Sequence, residues 1–240
     1  DYSSLDIDES KTYYQNLEAA VRFMQADNLK DLGKPVDRTK WLMSPQEVNA
    51  YYMPTTNEIC FPAGILQPPF FNMEADDAVN YGAIGVVIGH EMTHGFDDEG
   101  SNFDKDGNMN NWWTAEDRQK FEATTQRLAK QFSSVTVAPG LKANGELTLG
   151  ENIADQGGLT IAYLALQLAS ERQQTMKIDG LTPAQRFYIA YARLWGQNIT
   201  EAEIRRLTKL DPHSLGLLRV NQALKNIDPF YKAFNIRPKD

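Results

Sequence analysis

The sequence predicts an α+β fold that is predominantly α. Apolar residues recur at helical spacing over long stretches, helix-start signals stand at Thr114 and Thr182, and one pair of short β-prone runs lies ahead of both. From the N-terminus, residues 9–27 predict a helix with an Ala and Leu face. Residues 48–52 and 58–61 are β-prone runs joined through Pro54, Thr55, Thr56 and Asn57, which predicts a hairpin. Residues 79–88 are apolar nearly all round, through Val79, Tyr81, Ala83, Ile84, Val86, Val87 and Ile88; a helix of that kind is buried. Thr114 is an N-cap, with Glu116 and Asp117 in the first turn that follows. Residues 151–173 predict a long helix through Leu159, Tyr163, Leu166 and Ala169, interrupted only by Gly157 and Gly158. Thr182 and Pro183 open a helix reaching Gly196, with proline in the first turn where its missing N–H costs nothing. Shorter helices follow near 201–209 and 217–226.

Composition sets bounds on function. With 240 residues, 42% of them hydrophobic, the chain can bury one sizeable core; no linker or internal repeat marks it, which predicts a single domain over 1–240. A net charge of −8 speaks against nucleic acid and anionic membrane surfaces as partners. No apolar run is long enough to span a bilayer, and no signal peptide is recognisable; Asp1 and Tyr2 suggest a processing boundary.

Chemistry concentrates at His90, Glu91, Met92, Thr93 and His94. On a helix, residues four apart differ by about 40° in azimuth and about 6 Å along the axis, so both imidazoles can reach one metal ion from one face. Glu91 points off that line, toward the metal's open side. The pattern is a zinc-hydrolase signature: neutral imidazoles leave zinc cationic enough to acidify water, and the adjacent carboxylate takes the proton. The chain has only three histidines, and two of them fall at this spacing.

A catalytic zinc needs a third protein ligand. The extended pattern HExxHxxGxxH is excluded, because its glycine would fall at Asp97 and its third histidine at Gly100. His213, Cys60 and a carboxylate such as Glu151 remain, with Glu151 favoured because Asp155 follows it by one helical turn. A carboxylate at Asp155 can accept the free ring N–H of a ligating histidine and fix its tautomer. His213 sits in a loop beside Pro212, where a histidine is more often functional than packed.

Five blocks carry a family resemblance: VNAYY at 48–52, FPAGILQPPFF at 61–71, GHEMTHGFDDEG at 89–100, LGENIADQGG at 149–158, and Asp211 to Ser214. In this order they resemble the neprilysin family of zinc endopeptidases over residues 41–235. The resemblance implies a thermolysin-like zincin with a small sheet beside the metal helix, and one zinc per chain held by His90, His94 and Glu151. It implies that Glu91 is the general base and that Asp155 partners a zinc-bound histidine. Asn49 and Ala50 would hold the substrate backbone, His213 would stabilise the oxyanion with Asp211 orienting it, and Arg219 would grip a substrate carbonyl. Ile65, Phe70, Val86, Val87, Leu194 and Trp195 would form the pocket for a bulky apolar side chain just after the cleaved bond.

The same resemblance implies peptide substrates and a longer, mainly helical cover segment ahead of the catalytic block, for which these residues hold no counterpart. The lone Cys60 permits no intrachain disulfide, unlike the disulfide-rich animal ectoenzymes of the family. The expectation is therefore a bacterial member, in the envelope, periplasm or medium rather than the cytoplasm. The rival function is a non-catalytic peptide-binding or adhesion protein with a retained zinc. Glu91 argues against it, since a closed structural site has no use for a base.

Weaker signals have plain readings. Asn102, Asp104, Asp106 and Gly107 match half a calcium loop, but Trp113 occupies the twelfth position, which predicts a simple turn. Asn198-Ile199-Thr200 is a glycosylation sequon, and Arg205 and Arg206 form a solvated helix face.

Overall fold

The computed structural model describes residues 2–169 and 176–237. The chain divides into two compact units, Asp1–Leu42 and Met43–Asp240, although no linker composition separates them. The first unit carries helix α1 (Tyr13–Leu29), which starts four residues later than its apolar pattern. Thr12 closes a capping box with Gln15 there and fixes the start.

The second unit holds everything else. Strands β1 (Tyr51–Met53) and β2 (Glu58–Cys60) form the predicted antiparallel hairpin, with Tyr52 opposite Ile59. The strand begins at Tyr51, so Val48, in a bend, and Asn49 and Ala50 precede the ladder rather than join it. Helix α2 (Asp77–Asn80) runs through a π-helical turn, Tyr81–Gly85, into α3 (Val86–His94). After α4 (Ala115–Ser133), capped by Thr114 as predicted, come a second hairpin of β3 (Thr136–Ala138) and β4 (Leu141–Lys142) and the long α5 (Leu149–Ala169). The predicted continuation of α5 to Gln173 runs into 170–175, outside the described residues. Helices α6 (Pro183–Leu194), α7 (Glu201–Leu210), α8 (Gly216–Asn221) and α9 (Asp228–Phe234) complete the unit. The helix expected at 217–226 is α8 followed by a separate 3-10 turn, Leu224–Asn226.

Gly157 and Gly158 do not interrupt α5. They let it touch α3: a Cβ on Gly158 would lie 2.6 Å from the Val86 carbonyl oxygen, and one on Gly157 would lie 2.1 Å from Thr93 Oγ1. Gly89 meets Gly158 from the other helix, with 2.9 Å between a would-be Cβ and the Gly158 Cα. The two backbones approach so closely because no side chain intervenes at the crossing.

Two apolar clusters flank this pair. Val86, Leu159, Leu166, Phe187, Tyr188 and Tyr191 anchor the larger, with Phe187 and Phe230 set edge-on to Tyr188 at 5.0 and 5.4 Å. Ala50, Ile65 and Ile84, with Phe70 and Val87 packed on them, form the smaller. Adjacent residues Val86 and Val87 therefore serve different clusters, as an approximately 100° step on a helix requires. The 79–88 segment is less enclosed than its composition predicts, since Ile88 is 39% exposed.

Candidate active site

Helix α3 presents His90 and His94 to α5, which presents Glu151 and Asp155. The His90 Nδ1 is 2.9 Å from Asp155 Oδ1, and the His94 Nδ1 is 2.7 Å from Asp97 Oδ2. An ionised carboxylate only accepts, so each imidazole donates its Nδ1–H and turns the Nε2 lone pair inward. The two Nε2 atoms lie 3.0 Å apart, and Glu151 Oε2 is 3.1 Å from that of His90. Glu151 Oε1 is 3.7 Å from that of His94.

Three electron-pair donors thus converge in a buried space. Glu151 Oε2 accepts no hydrogen bond there, an arrangement that repels itself unless a cation lies among the donors. Ligands about 2.0–2.1 Å from a tetrahedral zinc would stand roughly 3.3 Å from one another, close to the separations found. Among the described residues, His90, His94 and Glu151 form the group whose ligand atoms gather within 4.8 Å. Cys60, left open by spacing alone, is not part of it. The donor set fits zinc.

The cluster's electrostatics point the same way. Burial works against a charged His90, but its contacts with the Asp155 and Glu151 carboxylates prevail and raise its pKa to about 9. Burial likewise raises the Glu151 carboxyl, while His90, His213 and His94 outweigh it and bring it down to about 2. Asp155 is fully buried and still held well below the carboxylate range, because Arg219 and His90 overcome its desolvation. The cluster draws positive charge. Glu91, 5% exposed, is pushed upward mainly by burial, the two histidines opposing.

Arg219 is placed differently from its sequence-based role alone. Its Nε and Nη2 donate to both oxygens of Asp155 at 2.8 and 2.7 Å, and its guanidinium stacks 3.6 Å above the Trp195 ring. It lines the cavity, but its first partner is Asp155. His213 lies in the α7–α8 loop with Nδ1 and backbone N–H both 2.8 Å from Asp211 Oδ1, which leaves Nε2 3.3 Å from Glu151 Oε1. Ser214 fixes this loop: its Oγ is 2.7 Å from Oδ1 of the fully buried Asn152, whose Nδ2 donates to Thr148 Oγ1 at 3.0 Å.

Glu91, Asp155, Asp211, His213 and Arg219 line one cavity of about 650 Å³ with the three donors. Asn49, Ala50, Ile65, Phe70, Val86, Val87, Leu194 and Trp195 line it too. Every sequence-predicted site residue is therefore brought to one place. Asn49 folds its own Oδ1 onto the Ala50 N–H at 2.9 Å.

Sequence reasoning missed Asp97. This carboxylate accepts from Glu99 N and Gly100 N at 2.8 and 2.7 Å through one oxygen and grips His94 through the other. Its signal was available: an Asp three residues beyond the second histidine of the pair, followed by Gly100, where a Cβ would lie 1.9 Å from the His94 carbonyl oxygen.

The fold and site define a zincin-type metallopeptidase scaffold. The chain belongs to peptidase family M13, whose family model matches residues 49–240. It is 41% identical to neprilysin-3 of Drosophila melanogaster over 241 residues, covering 99% of this chain and 30% of that protein. With endothelin-converting enzyme 1 of Mus musculus it shares 42% identity, covering 94% of this chain and 30% of that protein. The crystal structure of Mycobacterium tuberculosis zinc metalloprotease ZMP1 with an inhibitor superposes with a TM-score of 0.92 at 46% identity. That match covers 100% of this chain and 37% of the other. The chain thus spans about a third of the length of the proteins it matches.

Proposed function

We propose that this chain is the catalytic part of a zinc-dependent endopeptidase or oligopeptidase that cleaves peptides on the N-terminal side of bulky apolar residues. One observation carries the reading: three inward lone-pair donors, a buried carboxylate beside them and an apolar wall share one cavity. Zinc, held one per chain by His90, His94 and Glu151, supplies Lewis-acid chemistry that acidifies water and polarises a carbonyl.

The chain's own residues do the rest. Glu91 takes the proton of the attacking water and returns it to the leaving amine, a task suited to a carboxyl whose proton affinity burial has raised. His213, whose Nδ1–H donates to Asp211, would as the imidazolium also donate from Nε2–H to the developing oxyanion. Asn49 and Ala50 hold the substrate main chain, and Arg219 reaches a substrate carbonyl from its seat on Asp155. Ile65, Phe70, Val86, Val87, Leu194 and Trp195 receive the side chain after the cleaved bond. A mainly helical segment of the same gene product would cover this cavity, and the single Cys60 suits a bacterial enzyme.

Elemental analysis and a peptide-library digest of wild type and Glu91→Gln test the proposal. Wild type is expected to carry one zinc per chain and cut before large apolar residues. Glu91→Gln keeps the zinc and loses at least about 100-fold in kcat. Near wild-type turnover by Glu91→Gln refutes the base; absence of zinc from both refutes the metal.

A further inference from the structure

The cavity is lined both by the apolar side chains of Ile65, Phe70 and Val87 and by Asp97, Glu99 and Gly100. The approach to β1 and the strand itself connect the two. Ala50 packs in the cluster with Ile65. Tyr52, two residues on, sits over Gly95, where a Cβ would be 3.2 Å from its hydroxyl oxygen, and it feels the charge of Asp97.

Among the strands of the described residues β1 is paired with β2, and Tyr51 and Tyr52 line the cavity. A peptide laid along this edge advances about 3.3 Å per residue. With its residue after the cleaved bond in the apolar wall, residues two or three before that bond arrive near Tyr52 and Glu99.

Glu99 is suited to read them. Its side chain is exposed and makes no ion pair among the described residues. Its backbone is fixed, because its N–H donates to Asp97 Oδ1 at 2.8 Å while Asp97 Oδ2 holds His94. Among the described residues no lysine lines the cavity, and the one arginine that does, Arg219, is buried on Asp155.

We propose that Glu99 selects peptides carrying a lysine or arginine two to three residues before the cleaved bond, an inference that rests on the peptidase reading above. The selection is electrostatic and adds to the apolar choice on the other side of the metal.

A matched peptide set tests it, with one bulky apolar residue after the bond and Lys, Gln or Glu at the second and third positions before it. The wild type is expected to favour the Lys over the Glu peptide by about three- to tenfold in kcat/KM at low salt. The preference should be carried by KM and should shrink in high salt. Glu99→Lys should invert the ratio. Glu116→Lys makes the same charge change at a side chain 76% exposed on α4 and should leave the ratio as it was. An unchanged ratio in Glu99→Lys, or an equal shift in Glu116→Lys, overturns the inference while the peptidase reading stands. If no peptide in the set is cleaved, or bound by zinc-loaded Glu91→Gln, both readings fall.

Discussion

Gly158→Ala tests whether the helix crossing sets the metal site. The new Cβ would lie 2.6 Å from the Val86 carbonyl oxygen and 2.9 Å from the His90 nitrogen, whereas ordinary contact begins at 3.4 Å. Both neighbours are backbone and cannot rotate away, so α5 must retreat from α3 by about 0.8 Å or the methyl must be absorbed as strain. Asp155 lies one turn before Gly158, and Glu151 two turns before it. Carried back with the helix, the 2.9 Å contact between His90 and Asp155 opens to about 3.7 Å, outside hydrogen-bonding range. Losing a carboxylate behind a ligand histidine typically weakens metal binding by about 10- to 100-fold. Overpacking costs about 1–3 kcal/mol of stability. Competition for zinc against a chromogenic chelator measures the first effect, and thermal unfolding of the metal-free protein measures the second. Gly196→Ala, where the nearest atom is 3.5 Å away, serves as the comparison. A folded Gly158→Ala protein with wild-type zinc affinity would show that the crossing does not position the ligands.

Asp155→Asn and Asp97→Asn should each lower zinc affinity by about 10- to 100-fold, since one orients His90 and the other His94; equal affinity in Asp97→Asn removes that residue from the site. Tyr188→Phe should leave stability unchanged or raise it by about 1 kcal/mol, because the buried Tyr188 hydroxyl has no hydrogen-bond partner among the described residues. A loss above roughly 1 kcal/mol on denaturant unfolding would reveal a partner for that hydroxyl.

The sequence made legible what depends on spacing within one element. His90, Glu91 and His94 needed only the geometry of a helix, and Glu151 and Asp155 repeat the four-residue interval on a second one. Thr114 and Thr182 marked helix starts because a cap is a local hydrogen bond: the Gln185 N–H donates to Thr182 Oγ1 and the Asp117 N–H to Thr114 Oγ1. What depends on two elements meeting was hidden. Gly157 and Gly158 looked like breaks, since a glycine's cost to its own helix shows in sequence and its gain against Val86 and His90 does not. The turn Tyr81–Gly85 escaped notice because one widened turn hardly disturbs an apolar run. Asp97 lay outside both helices, where no periodicity points.

Charge explains why the crossing must be so tight. Glu91, Asp97, Glu151 and Asp155 place four carboxylates around two imidazoles, with Arg219 as the one permanent cation in contact among the described residues. Such a group would relax by turning carboxylates to water or binding protons, as the upward shift of His90 shows. The fold blocks the first route. Asp155 is pinned by Arg219, Asp97 by two backbone N–H groups, and Glu151 by a helix that cannot retreat while Gly158 rests on Val86. The remaining relief is a compact divalent cation between the donors. The rigidity that makes the bare cluster costly would therefore favour a bound metal ion, and loosening either helix should lower zinc affinity while relieving the protein of that strain.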